Sequence, residues 1–176
     1  MLLHELPTYA GADHDNFHVV VESPRGAMAK IKFSPELGVM MWSRPLPIGV
    51  VYPFDWGFIP STKAEDGDPL DAMIVADTGT QTGVVVVCRA LGVVQVEQNQ
   101  EGKPGRRQRN DRVIALPAKA PRTPLQTVFD LSERQRDELS QFFITVTAFE
   151  GKDVTIVGWD GPDAASALIA RVALRS

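Results

Sequence analysis

Residues 83–97, GVVVVCRALGVVQVE, carry seven valines in fifteen positions. A side chain branched at Cβ loses rotamer freedom in a helix and packs well on a pleated surface, so this run is extended. It exceeds the usual strand length and reads as one long strand or two, bent near Gly92. Shorter β-branched or alternating runs lie before it. FHVVVES (17–23) and AMAKIKF (27–33) flank the turn PRG, and GVMMWS (38–43) adds a third strand, together suggesting a meander. Residues 44–70 hold five prolines and read mostly as ordered loop. DAMIVAD (71–77), RVIALP (112–117) and VTIVGW (154–159) read as further strands, and the polar, basic residues 98–112 as a loop.

Two segments follow helix rules. SERQ places Ser132 at an N-cap with Gln135 three residues on, a capping box, and the helix runs on through RDELSQFFITVTAF. PDAASALIARVAL (162–174) closes the chain as a second helix, with Pro162 near its first position. There is no internal repeat, low-complexity tract or clean linker in the 176 residues, so 1–176 is expected to be a single domain. The simplest architecture is α+β and β-rich: a small closed β-barrel with two flanking helices.

Composition narrows the class. One cysteine, Cys88, rules out an intramolecular disulfide, and its setting in GVVVVCRA makes it a small buried hydrophobe. MLLHELPTYA has neither a basic n-region nor an apolar h-region, and GVVVVC is too short to span a bilayer. The expectation is a soluble, cytoplasmic protein without a membrane partner. A net charge of −4 argues against non-specific nucleic-acid binding.

EDGDPLD (65–71) packs four acids into seven positions beside the apolar run 72–76. Such charge runs are ordinarily solvated turns. Here a glycine and a proline stiffen the turn, and the adjoining strand pins it. Clustered carboxylates repel, so they call for neutralisation, and fixed oxygen ligands suit hard cations such as Mg²⁺ or Mn²⁺. An EF-hand calcium loop fails at Leu70 and at Asp71, which should be glycine.

EDGDPLDAMIV resembles the D-G-D-P-x-D signature of the family I soluble inorganic pyrophosphatases, and neighbouring pieces stand in that family's order over roughly residues 16–172. VVVESP resembles its strand with a metal-site glutamate (Glu22), and AKIKF its strand with a phosphate-binding lysine (Lys30). SRPLPIGVVYPFDWGFIP resembles its segment with a phosphate-binding arginine and tyrosine (Arg44 and Tyr52). The resemblance implies an OB-like five-stranded barrel with peripheral helices. It also implies Mg²⁺-dependent hydrolysis of pyrophosphate to two phosphates and a homo-oligomer, a hexamer as in bacterial members. Asp66, Asp68, Asp71 and Glu22 would then hold metal, Lys30 and Arg44 would clamp phosphoryl oxygens, and Tyr52 would donate a hydrogen bond. Asp68 would also orient the attacking water. Taken one by one, each residue has an ordinary structural role: Glu22 an exposed strand end, Lys30 and Lys32 the wet face of a strand, Arg44 a loop cation, Tyr52 a core or rim aromatic.

The sequence also departs from the family pattern. Counting back from VIALP puts Asn110 where a metal-binding aspartate belongs and Arg112 where a phosphate-binding lysine belongs. Asp111 is one residue off and would face the other side. Upstream acids have only Glu101 as a counterpart. Lys32 replaces a glutamate, Trp56 a tyrosine, and Val146 and Thr147 a Tyr-Lys pair. Asparagine is neutral and offers one ligand oxygen, so metal binding is weakened there. The expectation is an enzyme of reduced activity, helped by basic residues of the 103–112 loop that reach the phosphate site. The alternative is a non-catalytic phosphate- or nucleotide-binding member of the same fold. Single-stranded nucleic acid ranks last, because the loop lacks interleaved aromatics.

Overall fold

The computed structural model describes residues 2–120 and 123–174. Nine strands and two α-helices are present among them: β1 (Phe17–Ser23), β2 (Ala29–Ser34), β3 (Val39–Pro45), β4 (Asp55–Ile59), β5 (Leu70–Ile74), β6 (Val85–Gln100), β7 (Lys103–Arg109), β8 (Arg112–Pro117), α1 (Glu133–Thr145), β9 (Thr155–Asp160) and α2 (Pro162–Val172). Strands β1, β4, β5, β8 and β6 pair in that order, and β6 returns to β1, closing a five-stranded ring. Only β5–β8 is parallel in this ring. The fold is α+β, a closed barrel of the OB-like type with two flanking helices.

The valine-rich run is one continuous strand. β6 pairs with β1 near its start, with β8 in its middle, and with β9 and β7 toward its end. The ladder to β8 slips between Ala90 and Gly92, which is the bend the sequence indicated. Alternate residues of the barrel strands feed two apolar clusters. One, with Tyr52, Trp56, Met73, Val94 and Ile114, is covered by Leu139 and Phe143 of α1. The other, with Val19, Val21, Leu70, Ala72 and Val113, is covered by Ala165, Leu168 and Ile169 of α2.

Both helix starts follow their caps. Ser132 accepts the backbone N–H of Gln135 at 3.2 Å, and Gln135 Oε1 accepts that of Ser132 at 2.9 Å. Pro162 opens α2. The first helix stops at Thr145, short of Phe149, and continues as turns that leave Phe149 exposed.

Two expectations need correction and one needs refinement. The first three strands are not a meander: β2 and β3 form a separate hairpin, while β1 pairs with β4 and β6. The hairpin leans on the barrel through Phe33, which packs on Phe58 and Val20. Residues 44–70 are mostly loop, as expected, but they also contain Asp55–Ile59, a fully buried central strand. Its sequence DWGFI has a single β-branched residue, Ile59, and its middle glycine admits the chain opposite: a Cβ on Gly57 would lie 1.9 Å from the Val20 carbonyl oxygen. The 98–112 segment is not a loop either. β6 projects beyond the barrel and pairs with β7, whose sequence KPGRRQR is that of an exposed edge strand.

Candidate active site

Glu22 is the residue by which β1 slips against β4. Val21 pairs with Gly57 and Ser23 with Trp56, so Glu22 is the extra residue of a bulge. The residue is 6% exposed, and its carboxylate accepts the N–H of Phe33 at 2.7 Å, stapling β1 to β2. On the hairpin, Lys30 stands directly opposite Arg44, and Lys32, two residues on, shares the Lys30 face. Tyr52 is pinned to the β1–β2 turn by backbone bonds to Gly26 and Ala27.

The acidic loop is fixed by its own hydrogen bonds. Thr62 Oγ1 accepts the N–H of Leu70 at 2.9 Å, and Ala64 donates to the Asp68 carbonyl at 2.8 Å. Gly67, at φ +90°, makes the turn that lets Asp66 Oδ1 accept the Asp68 N–H at 3.1 Å. Asp71 lies within β5, and Asn110 and Arg112 sit at the entry to β8.

All of these side chains line one cavity of about 250 Å³: Glu22, Lys30, Arg44, Tyr52, Asp66, Asp68, Asp71, Asn110 and Arg112. Four further polar residues that sequence reasoning did not assign to a site join them: His4, Lys32, Gln98 and Lys152. In the sequence Lys32 reads as the wet face of a strand and as a departure from the family pattern. Gln98 lay in a stretch read as loop. His4 reaches the cavity through tertiary packing against the Phe33 ring, 5.5 Å between centroids. Lys152 enters from the turns after α1, six residues past Val146.

The cavity is densely ion-paired. Lys32 Nζ lies 2.7 Å from Asp68 Oδ2, and Arg112 Nη1 lies 3.3 Å from Asp71 Oδ2. The Arg112 guanidinium also covers the Trp56 ring at 5.6 Å. Burial, with the nearby Asp71 charge, pushes Glu22 up to about 7 despite the Phe33 N–H and the two lysines. Burial pulls Lys30 below the usual lysine range. Burial opposes the charge on Lys32 as well, but the Asp68 bond and surrounding carboxylates hold its ammonium above the ordinary value. Tyr52 is pushed up to about 12, chiefly by burial, so its hydroxyl stays a proton donor at neutral pH.

The rewritten half takes the following form. Asp111 faces away from the cavity, where its Oδ1 accepts the Val96 N–H and its carboxylate pairs with Arg109. Glu101 is exposed in the β6–β7 turn and does not line the cavity. Val146 packs into the apolar cluster beside Tyr52 and Trp56, and the Thr147 hydroxyl donates back to the Phe143 carbonyl at 3.3 Å. The expected reach of the basic loop does not occur. Arg107 is tied to Asp153, Thr155 and the Glu97 carbonyl, and Arg109 to Asp111; neither they nor Lys103 and Arg106 line the cavity, and only Arg112 does. A strand hairpin points these side chains outward along β7, where a flexible loop could have folded them in.

In chemistry the donor set fits a hard divalent cation. It is all oxygen, and Asp66 is held above the usual carboxylate range by burial and by Asp71, a repulsion that a cation relieves. It is only partly assembled, because Asp68 and Asp71 are turned onto Lys32 and Arg112. Among the described residues no three His, Cys, Asp or Glu side chains form a ready metal cluster. No described helix is long and apolar enough to cross a membrane.

A family model described as inorganic pyrophosphatase matches residues 19–175. The inorganic pyrophosphatase of Thermus thermophilus is 38% identical over 146 residues, covering 81% of this chain and 79% of that protein. That of a Synechocystis species is 34% identical over 153 residues, covering 86% of each. The crystal structure of a Thermus thermophilus inorganic pyrophosphatase superposes with a TM-score of 0.88 at 34% identity, covering 98% of this chain and 97% of that one. An inorganic pyrophosphatase from Coxiella burnetii gives 0.82 at 31%, covering 95% and 97%.

Proposed function

Because the chain belongs to the inorganic pyrophosphatase family, we propose that it hydrolyses inorganic pyrophosphate to two phosphates in the cavity at the mouth of its barrel. The observation that carries this reading is the convergence of four carboxylates from β1, the β4–β5 loop and β5 with cations from β2, β3 and β8.

Pyrophosphate is a polyanion, and hydroxide does not approach it unaided. Lys30 and Arg44, opposite each other on the hairpin, and Arg112 at the entry to β8 hold phosphoryl oxygens: Lys as a point charge, Arg through a planar fork. The Tyr52 hydroxyl donates to a phosphate oxygen. Asp68 orients the attacking water and takes its proton as the new P–O bond forms and the bridging P–O bond breaks. No covalent enzyme intermediate is involved. Asp66, Asp68, Asp71 and Glu22, with the amide oxygen of Asn110, are the groups to hold Mg²⁺, or Mn²⁺ in its place. When bound, the metal supplies charge neutralisation and a lowered pKa for water.

Asn110, Val146 and Thr147 make the enzyme slow for its family. We read residues 1–176 as one domain, working in the cytoplasm as a homo-oligomer, a hexamer as in bacterial members of the family. The test is phosphate release from pyrophosphate with and without Mg²⁺, nucleoside triphosphates being run in parallel. Two phosphates per pyrophosphate, released only with metal, is the expected result. No release at saturating Mg²⁺ would leave the alternative, a non-catalytic phosphate- or nucleotide-binding protein.

A further inference from the structure

The cavity gathers five cationic side chains, Lys30, Lys32, Arg44, Arg112 and Lys152, against four carboxylates. The lining is therefore one formal charge positive before any metal arrives, with Glu150 just outside it at 3.5 Å from Arg44 Nε. Two of the carboxylates already have a tethered cation: Asp68 has Lys32 at 2.7 Å, and Asp71 has Arg112 at 3.3 Å. Lys30 is placed differently. It stands directly across the hairpin from Arg44, and like charges in directly opposed positions destabilise a sheet. Lys32, on the same face, adds to that repulsion. Lys30 is partly buried and makes no salt bridge among the described residues; Asp71 and Glu22 favour its charge from beyond salt-bridge distance, while Lys32 and Arg112 oppose it. Burying an ammonium is costly unless something opposite in charge meets it. An arrangement of this kind is stabilised by an anion seated between β2, β3 and the entry to β8.

We infer that the cavity binds a phosphate-type anion without a divalent metal, Lys32 occupying at Asp68 the place that a metal cation would take. Metal then serves the hydrolytic step and is not needed to hold the ligand. Lys32 is a binding and positioning residue. Its ammonium neutralises Asp68, which would otherwise repel the ligand, and lies on the same face as Lys30. The inference rests on reading this cavity as the phosphate site.

The probe is methylene diphosphonate, a non-hydrolysable pyrophosphate mimic, titrated calorimetrically into protein stripped of metal on a chelating resin. Saturable one-to-one binding is expected, at least about tenfold weaker in Lys32→Glu and weaker to a lesser extent in Lys32→Met. The number of Mn²⁺ ions bound per chain, read by electron paramagnetic resonance, should rise in Lys32→Glu, and added Mn²⁺ should restore diphosphonate binding to that variant. The Lys32 side chain is 45% exposed, so both substitutions are compatible with folding, which a thermal melt verifies. No metal-free binding by wild type overturns the inference, and so does unchanged affinity and Mn²⁺ count in folded Lys32→Glu. Mg²⁺-supported phosphate release measured on the same wild-type sample separates the two readings. Release without metal-free binding sinks this inference alone; metal-free binding without release sinks the hydrolase and keeps the anion site.

Discussion

Arg44 Nη2 donates to the main-chain carbonyl of Val146 at 2.9 Å, joining two residues 102 positions apart. Val146 caps the C-terminal end of α1, where carbonyls lack helical partners and the helix dipole is negative. One guanidinium thus ties the β2–β3 hairpin to the helix while lining the cavity; its Nη1 donates to the Pro45 carbonyl at 3.3 Å and its Nε lies 3.5 Å from Glu150.

Arg44→Ala is expected to lower kcat/KM for pyrophosphate about a hundredfold, ~2.7 kcal/mol, through loss of charged hydrogen bonds. Arg44→Lys keeps the charge and loses the fork, so it should fall between. Steady-state phosphate release in Mg²⁺ checks this. A folded alanine variant with wild-type kcat/KM removes Arg44 from the substrate.

Glu22 sets a pH dependence of stability. Burial raises its folded pKa from the ordinary glutamate range to about 7, so the native state keeps a proton that the unfolded chain releases. Stability from this group is therefore greatest at low pH and falls as pH rises through that window, by roughly 3 kcal/mol at most. Glu22→Gln cannot ionise and still accepts the Phe33 N–H. In metal-free urea melts the variant should match wild type near pH 5 and exceed it at pH 8. Equal stabilities at both pH values would show that the carboxylate escapes its burial.

Replacing Arg106, Arg107 and Arg109 together with Ser should leave pyrophosphate affinity within about twofold, since none of them lines the cavity. The exposed Arg107–Asp153 pair is worth at most about 1 kcal/mol, but the Arg109–Asp111 pair is part-buried and two-pronged, so the melting temperature should drop. A large loss of affinity would mean that β7 folds over the site when ligand binds.

Asn110→Asp, Val146→Tyr and Thr147→Lys together restore the groups that the family pattern expects. The triple variant should raise Mg²⁺-dependent turnover at least about tenfold, ~1.4 kcal/mol off the barrier, and by more than the single changes combined. Val146 is 8% exposed among Tyr52, Trp56 and Phe143, so tyrosine there overpacks and costs about 1–3 kcal/mol. The Asn110→Asp/Thr147→Lys pair avoids that cost, and a thermal melt precedes the assay. A folded triple variant with no gain, or a wild type already at ordinary family rates, would refute the idea of a weakened site.

Gly57→Ala should destabilise the barrel by about 3 kcal/mol or more, because the Val20 backbone cannot retreat from a methyl group without breaking the β1–β4 ladder. Far-UV circular dichroism against temperature reads this directly.

Much of the barrel was legible because burial writes itself into local pattern. The valine-rich β6, the strand β8, the Ser132 capping box and Pro162 of α2 are all local signals. β4 escaped because its five residues owe their strand state to neighbours on both sides and not to side-chain branching. β7 escaped because an exposed edge strand needs only a partner ladder, here supplied by the projecting end of β6.

Sequence alone determined the chemistry available at the site: the D-G-D-P-x-D acids, the hairpin lysines and Arg44 are fixed in identity and order, and short-range turn geometry orients Asp66 and Asp68. Only the tertiary structure decided how those charges are spent. It paired Lys32 with Asp68 across 36 positions, sent Arg107 outward to Asp153, turned Val146 into the core and brought Lys152 to the cavity wall. Ion pairs and burial depend on distances between segments remote in sequence, and the closure of the barrel sets those distances.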